Sequence, residues 1–382
     1  MEKVMSRKLI TISTIMTLMS TSVIADVPNV AADIAPIHSL VSRVMDGVGA
    51  PKLIVKSGAS PHGYRLRPSE AKALQDADHV FWMGEELTPW LDSAIDTLAT
   101  KASVTTLLDQ QGVILHDFRE GALFEAHDHS AHGDDDHDDH DDHDDDKGHD
   151  DHDDHDDHDD DKGHDDHDDH DDHDDHKDHD DHDDHDDHKD HDDHVDHDDH
   201  DDHKDHDDHD DHGSHDPHAW LSPENAKLWL NIIASKLSVS DPENAATYFM
   251  NAAAGQAEIE AMIAEVSATL KPVQGGKFVV FHDAYQYFEN DFDFYASGAI
   301  SLGDSSDPSP ARIEKVQKRI RDEGIQCVLA EPQFKKGLVA TVMEGSDATA
   351  SVIDPLGAEL ETGPKLYTRL IKNMAKTLRN CL

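Results

Sequence analysis

Basic residues are scarce in this 382-residue chain, which contains 32 Lys and Arg against 85 Asp and Glu and has a formal net charge of −53 at pH 7. This balance argues against a nucleic-acid-binding protein, because a phosphate backbone is attracted by positive charge. The sequence also has no Gly-x-Ser-x-Gly nucleophile elbow, no His-Glu-x-x-His pair and no phosphate-binding loop. These absences give enzymatic chemistry little support, and we expect a protein that is not an enzyme.

The N-terminal apolar run is too short and too rich in Ser and Thr for a convincing membrane span. It covers residues 9–24 and follows three basic residues, Lys3, Arg7 and Lys8. This pattern is typical of a secretory signal peptide, with cleavage predicted after Ala25. No Cys lies near the cleavage position, so a lipid anchor is not expected; an uncleaved anchor is the alternative. The mature protein is predicted to lie in the periplasm.

Cysteine is almost absent, since Cys327 and Cys381 are the only two. In an exported protein an even pair favours one disulfide. Such a bond would attach the C-terminus to the apolar run at residues 325–330. Two free thiols are the alternative.

One segment, residues 127–215, is almost free of apolar side chains and accounts for most of the negative charge. It contains 28 of the 34 His in the chain, together with 48 Asp and only five Lys, and the unit His-Asp-Asp recurs every three residues. A period of three matches neither a helix face nor a strand face, and so little apolar surface cannot offset the entropy lost on folding. We expect this segment, the His/Asp tract, to be a disordered insertion.

The composition of the His/Asp tract predicts metal binding. Imidazole is a ligand for zinc, copper and nickel, and the neighbouring carboxylates attract cations. The alternative is a repeat that grew by slippage and has no function. If the tract binds metal, its weak auxiliary sites would include His residues at both ends: His127, His129, His132, His137, His140 and His215.

Short apolar runs alternate with helical patterns on both sides of the tract, which predicts an α/β protein with parallel sheets covered by helices. About 265 residues remain outside the signal and the tract, enough for two lobes of ordinary size. The predicted strands cover residues 51–56, 77–84, 103–108, 277–281, 325–330 and 350–353. The predicted helices cover residues 68–76, 87–99, 223–237, 310–323, 334–345 and 363–380.

A longer helical pattern lies between the two groups of strands. Asp241 as N-cap and Pro242 at the first position favour a helix start, and the pattern continues to about Leu270. A helix of that length is unusual in a globular domain, and we interpret it as a spine between two lobes; the alternative is two helices separated near Gly255. The predicted organisation is a signal peptide at 1–25, an N-terminal lobe at 26–240 that carries the tract, a linking helix at 241–271 and a C-terminal lobe at 275–382.

Three His outside the tract are candidate metal ligands. His62 follows a predicted strand through a Gly/Ser/Pro loop, His282 directly follows another, and His218 lies between the tract and a helix. Ligands of parallel α/β sheets bind beyond the carboxyl ends of the strands, and three imidazoles with a carboxylate or water suit zinc. Asp354, which also follows a predicted strand, could supply the carboxylate. The remaining three are interpreted as structural hydrogen-bonding residues: His38, His79 and His116.

Five motifs around these residues resemble those of the zinc-binding, ZnuA-type solute-binding proteins of bacterial ABC importers. They are GASPHGYRLRPS at residues 58–69, DPHAWLSPEN at 216–225, VFHDAY at 280–285, AEPQF at 330–334 and DPLG at 354–357. Together the motifs are specific, and the likeness extends over the mature chain apart from the tract.

The resemblance implies two (β/α) lobes joined by a long spine helix, with the metal in the cleft between them. It implies that His62, His218 and His282 bind Zn²⁺, with a His/Asp-rich loop inserted before the second of these. It also implies a disulfide between Cys327 and Cys381. The implied partners are an inner-membrane ABC permease and its cytoplasmic ATPase.

One position departs from the family pattern. Some members have a carboxylate immediately before the first His, but this chain has Pro61, which has no ligating side chain. The fourth ligand is therefore expected to be water or Asp354. Three His favour zinc over manganese, because manganese-binding relatives use more carboxylates.

The sequence therefore predicts a monomeric periplasmic protein that captures Zn²⁺ and delivers it to an ABC permease, with the tract as a weak collector. Binding should weaken at low pH, because protonated His cannot ligate, and His62 is the ligand expected to move. One alternative is an extracytoplasmic zinc buffer or store in which the tract is the active part, and another is a manganese-binding relative. A third is a zinc hydrolase, in which Asp283 or Glu331 would act as an acid/base group rather than orient a His.

Overall fold

The computed structural model describes residues 27–119, 124, 215–301, 303, 308–334 and 336–382. The predicted signal peptide lies outside this set. So does the His/Asp tract up to residue 214, including His127, His129, His132, His137 and His140. Of the tract, the structure describes His215 alone.

Two parallel four-stranded sheets form the framework. The strands of the first are β1 Val30–Ala32, β2 Lys52–Leu53, β3 His79–Trp82 and β4 Ser103–Thr106, in the order β2-β1-β3-β4. Those of the second are β5 Phe278–His282, β6 Ala299–Ser301, β7 Cys327–Ala330 and β8 Thr349–Val352, in the order β6-β5-β7-β8. The two sheets repeat the same strand order, and the predicted α/β class with parallel sheets is confirmed.

Helices cover the sheets and connect the strands. They are α1 Ala35–Val44, α2 Pro68–Gln75, α3 Pro89–Leu98, α4 Pro223–Ser240, α5 Ala245–Leu270, α6 Gln286–Phe292, α7 Pro310–Glu323, α8 Lys336–Met343 and α9 Leu366–Cys381. Five of these helices have Pro at the first or second position, where a missing N–H removes no helical bond. None of the described helices is long and apolar enough to span a membrane. We call β1–β4 with α1–α3 the first lobe, and β5–β8 with α6–α9 the second lobe.

The long helix predicted between the lobes is present as α5, which continues through Gly255 for 26 residues. It begins later than predicted, because α4 continues up to Asp241 and the N-cap of α5 is Asn244. The Asp241 carboxylate accepts hydrogen bonds from the Asn244 side chain at 2.7 Å and from the Tyr248 hydroxyl at 2.8 Å. Asp241 therefore joins the end of α4 to α5 and does not cap a helix that starts at Pro242.

Gly255 is a packing position and not a break. A Cβ at this residue would lie 2.9 Å from Leu230 Cδ1 in α4 and 3.1 Å from Arg43 Cγ in α1. Arg43 also donates two hydrogen bonds, at 3.1 and 3.0 Å, to the Glu258 carboxylate of α5. The absence of a side chain thus lets α5 approach both helices closely.

The helix α9 connects the second lobe to the first. Ser39 Oγ of α1 donates to Gly363 O at 2.7 Å and accepts the Tyr367 N–H at 3.0 Å. The Tyr367 hydroxyl donates to the Trp220 carbonyl at 3.0 Å, with the Ser222 carbonyl at 3.2 Å. One continuous apolar core runs from the first lobe through α4 and α5 into the second lobe. The two lobes therefore share packing and are not joined by α5 alone.

The disulfide between Cys327 and Cys381 is present. It joins β7 to the end of α9, with the two Cα atoms 5.5 Å apart and a sequence separation of 54 residues. Cys327 is fully buried. The bond therefore attaches the C-terminal helix to a central strand of the second sheet.

Candidate metal centre

His62, His218 and His282 meet at the carboxyl ends of the strands. One ring nitrogen of each lies within 4.8 Å of the other two. His62 lies in the loop after β2, His218 immediately precedes the 3-10 turn Ala219–Leu221, and His282 is the last residue of β5. The structure therefore brings together three His from separate parts of the chain.

The three His line one small cavity. The other residues of its wall are Pro61, Trp220, Gln333, Pro355 and Leu356. His218 and His282 are buried, whereas His62 is partly exposed. Of the three His, His62 is therefore the one most accessible to solvent.

A buried carboxylate orients His218. Asp216 Oδ1 lies 2.6 Å from His218 Nδ1 and accepts the His218 backbone N–H at 3.0 Å. Because a carboxylate can only accept, Nδ1 carries the proton and Nε2 retains its lone pair. The pair therefore presents Nε2 of His218 to the cavity as a ligand atom.

A second buried carboxylate orients His282 in the same way. Glu331 Oε1 lies 2.6 Å from His282 Nδ1, and Glu331 Oε2 accepts a hydrogen bond from the Gln333 side chain at 2.8 Å. Both oxygens of Glu331 are thus engaged, which fixes the carboxylate and the ring that donates to it. Orientation by a carboxylate is the usual arrangement for a metal-binding imidazole, because it sets the tautomer and raises the basicity of the ligand.

The distance between the two oriented nitrogens suits a tetrahedral metal ion. Nε2 of His218 and Nε2 of His282 lie 3.4 Å apart. Two nitrogen lone pairs that face each other at this distance repel, unless a cation or a proton lies between them. Tetrahedral zinc with Zn–N bonds of about 2.0–2.1 Å requires an N···N separation of about 3.3–3.4 Å. The buried pair therefore already has the spacing of two zinc ligands.

Asp354 is not a member of the three-His cluster. Its carboxylate accepts three backbone N–H groups, from Leu356 at 3.0 Å, Gly357 at 2.8 Å and Ala358 at 2.6 Å. These bonds close the turn that carries Pro355 and Leu356 into the cavity wall. In this structure Asp354 shapes the wall, and its role as a fourth ligand stays a prediction.

The other three His outside the tract each have a hydrogen-bonding partner elsewhere. His38 Nε2 lies 3.2 Å from the Pro51 carbonyl, His79 Nε2 lies 2.6 Å from Ser240 Oγ, and His116 Nε2 lies 3.2 Å from the Asn290 side-chain amide. Burial lowers the pKa of all three imidazoles. They are therefore neutral structural residues, in agreement with their interpretation from the sequence as structural hydrogen-bonding residues.

The segment that precedes the tract pairs with the last tract residue beside His218. His215 Nδ1 lies 2.9 Å from Asp117 Oδ1, and the two residues form an antiparallel β-bridge. The next residue, Asp216, donates its N–H to the His116 carbonyl at 2.7 Å. The last residue of the tract thus lies directly before Asp216, the residue that orients His218, while metal binding by His215 stays a prediction.

A buried ion cluster lies next to His282. Arg119 Nε donates to both carboxylate oxygens of Asp283, at 3.0 and 3.1 Å, and Arg119 Nη1 donates to Glu289 at 2.5 Å. Burial raises the pKa of Glu289 to about 7 and also raises that of Asp283, while the Arg119 guanidinium lowers both. Sequence reasoning missed this cluster, because Arg119 and Asp283 are 164 residues apart and no local pattern links them.

Comparison with known protein families identifies the chain. The profile of ZnuA, described as zinc-uptake complex component A, periplasmic, matches residues 30–381. The chain is 44% identical over 353 residues to the high-affinity zinc uptake system protein ZnuA of Brucella abortus (strain 2308), covering 92% of this chain and 91% of that protein. It is 39% identical over 359 residues to the protein of the same description from Paracoccus denitrificans (strain Pd 1222), covering 94% and 93%.

Solved structures share the fold at lower sequence identity. A crystal structure of ZnuA matches with a TM-score of 0.62 at 17% identity, covering 93% of this chain and 99% of that chain. The solute-binding protein FpvC of Pseudomonas aeruginosa in complex with Mn²⁺ matches with a TM-score of 0.60 at 15% identity, covering 93% and 97%. These likenesses concern the fold, and the sequence matches decide the family. The chain belongs to the ZnuA family of periplasmic zinc-uptake components.

Proposed function

We propose that this protein captures Zn²⁺ in the periplasm and presents it to an ABC permease driven by a cytoplasmic ATPase. The observation that carries the proposal is the buried pair of Nε2 atoms of His218 and His282, 3.4 Å apart, with each Nδ1 held by a carboxylate. Membership of the ZnuA family supports the periplasmic location and the transport partners.

The donor set favours zinc over manganese. Among the described residues the cluster consists of three His and contains no carboxylate ligand. Neutral imidazole is a good ligand for zinc, whereas manganese prefers carboxylate and water oxygens. The solved Mn²⁺ complex of FpvC shares only the fold with this chain, and a manganese-binding function has no support from the ligands here.

The geometry supports an order of capture. His218 and His282 are buried and fixed by carboxylates, so an ion can meet this pair before any movement of the protein. His62 is partly exposed in a loop that is held to the first lobe, where Trp90 Nε1 donates to the Pro61 carbonyl at 2.7 Å. We infer that His62 completes the site last and, moving with its lobe, leaves first on release.

Zinc titration by native mass spectrometry tests the function against the buffer alternative. The full chain is compared with a variant in which residues 125–214 are replaced by a short Gly/Ser linker; the bridge between Asp117 and His215 lies outside the replaced residues and is retained. We expect one zinc ion per shortened chain that resists a competing chelator, and additional weakly held ions only in the full chain. Loss of every tight site from the shortened chain would favour the buffer, and tighter binding of Mn²⁺ in a parallel titration would favour the manganese alternative.

Glu331→Gln should weaken zinc binding by about 10- to 100-fold, the usual cost of losing a carboxylate that orients a metal-binding His. A neutral amide has one acceptor oxygen, so it cannot accept from both His282 and Gln333, and it no longer raises the basicity of the imidazole. Competition with a chromophoric zinc chelator measures the change. Glu70→Gln is the matched control, because Glu70 accepts from the Tyr64 hydroxyl in the first lobe, outside the cavity wall. Equal affinities of the two variants would contradict the role of Glu331.

A further inference from the structure

The guanidinium of Arg119 lies between two carboxylates of the second lobe. It donates to Asp283 from Nε and Nη2 and to Glu289 from Nη1. The Asp283 and Glu289 side chains are only 6% and 1% exposed, and Arg119 itself is 18% exposed. Within the described part of the chain, Arg119 forms the only ion pairs of either carboxylate. The ring of Phe124 covers the guanidinium, with its centroid 3.6 Å from Cζ.

This contact joins two distant parts of the chain beside the cavity. Arg119 belongs to the segment that leads into the His/Asp tract, whereas Asp283 directly follows the metal-site residue His282. Buried carboxylates without a cation are strongly unfavourable, and a planar Arg fork can satisfy two of them at once. The guanidinium therefore holds the segment that precedes the tract against the end of β5.

The same segment also contacts the residue that orients His218. The His116 carbonyl accepts the Asp216 N–H at 2.7 Å. The Tyr287 hydroxyl, from the second lobe, donates to the Asp216 carbonyl at 2.7 Å and accepts the His116 N–H at 3.1 Å. Residues 116–119 therefore lie between Asp216 and the second lobe, and they are held there by Arg119 at one end and by Tyr287 at the other.

We propose that Arg119 is a positioning residue that fixes residues 116–119 on the second lobe and so sets the position of His218 relative to His282. His218 and His282 then form one rigid pair carried by the second lobe, although His218 lies before α4 in the sequence. His62 is then the ligand that changes position with the first lobe. The inference deepens the zinc-binding function proposed above and depends on it.

Release of zinc from Arg119 variants of the full chain tests the inference. Stopped-flow transfer of zinc to an excess of chelator gives the release rate, and the visible absorption of the Co²⁺-loaded protein reports the geometry of the ligands. We expect Arg119→Ala to release zinc about tenfold faster, in line with the cost of disturbing a residue that orients a ligand, and to change the Co²⁺ spectrum. Arg119→Lys should lie between Ala and wild type, because a single ammonium cannot bind two carboxylates as the fork does.

Arg43→Ala is the matched control, because it removes another two-bond contact between Arg and a carboxylate, that of Glu258, which lies outside the cavity wall. It should leave both readouts unchanged. Arg119 variants that lose thermal stability but keep the wild-type release rate and spectrum would overturn the inference and leave Arg119 as a structural residue. If Arg119→Ala does not fold, Arg119→Lys decides by the same two readouts. A wild-type chain without a tight zinc site would refute the proposed function, and the positioning role with it.

Discussion

Replacing His282 by Ala should weaken zinc binding by about two to three orders of magnitude. Zinc sites with four ligands are worth roughly 10–16 kcal/mol, so that one imidazole contributes about 3–4 kcal/mol. His282 is buried, and its Nε2 lies 3.4 Å from that of His218, so the variant loses one half of the preset pair. It also leaves the Glu331 carboxylate buried without the N–H that it accepts.

The measurement is a competition titration in the chain whose residues 125–214 are replaced by a linker, because the tract would otherwise supply other His. His79→Ala is the control. His79 is equally buried, but it starts β3 at the amino end of the sheet and hydrogen-bonds to Ser240. It should lose stability and keep its zinc affinity. A His282→Ala protein that binds zinc as tightly as its parent would show that the cavity is not the zinc site.

The candidate ligands could be found from the sequence because each His lies in a short motif at a strand end or loop. The three-dimensional distances between these His could not be predicted from the motifs. The carboxylate that holds His282 comes from Glu331, 49 residues later, at the end of a neighbouring strand. Strand order decides which strand ends are neighbours, and strand order is a property of the whole fold.

Asp354 shows where a local pattern is ambiguous. Its position after β8 is that of a possible ligand, but the same Asp-Pro-Leu-Gly run also forms a turn in which the carboxylate accepts the following N–H groups. Asp side chains commonly hydrogen-bond to the backbone just after them. Gly357 has a φ of 73°, which favours a turn at this point. An Asp at this position suits a metal ligand and a turn residue equally well, so only the structure distinguishes the two roles.

Most of the predicted helices and strands match the observed elements within a few residues. Proline at the helix starts and long apolar periods gave α2, α3, α4 and α7 within a few residues of their observed bounds. The predicted strand at residues 51–56 is reduced to Lys52–Leu53, because it lies at the sheet edge and pairs at two positions with β1 alone. The prediction has no counterpart of β1, β6 and α6, because elements of three to seven residues show no clear period.

Removing the disulfide between Cys327 and Cys381 should lower the free energy of unfolding by about 4 kcal/mol. The bond spans 54 residues, and the loss of loop entropy in the unfolded chain gives about 4 kcal/mol for a loop of that size. For a protein of this length the thermal midpoint should fall by about 8 °C. The double variant Cys327→Ala/Cys381→Ala is preferred to Ser, because Cys327 is fully buried and a hydroxyl there would lack a partner.

Urea unfolding of the zinc-free proteins measures this difference, because bound zinc would add its own contribution to stability. Wild type in reducing buffer is the matched control, and its free energy of unfolding should fall to within about 1 kcal/mol of that of the double variant, since the Ala residues also remove some packing.

The bond joins β7 to α9, and Glu331 directly follows β7, but the contact between Glu331 and His282 does not involve either sulfur. Zinc affinity should therefore change less than tenfold while stability falls, whereas Glu331→Gln should weaken zinc binding without a comparable loss of stability. A double variant as stable as oxidised wild type would contradict the loop-entropy account. One that lost zinc binding while folded would show that α9 holds β7, and with it Glu331, in place.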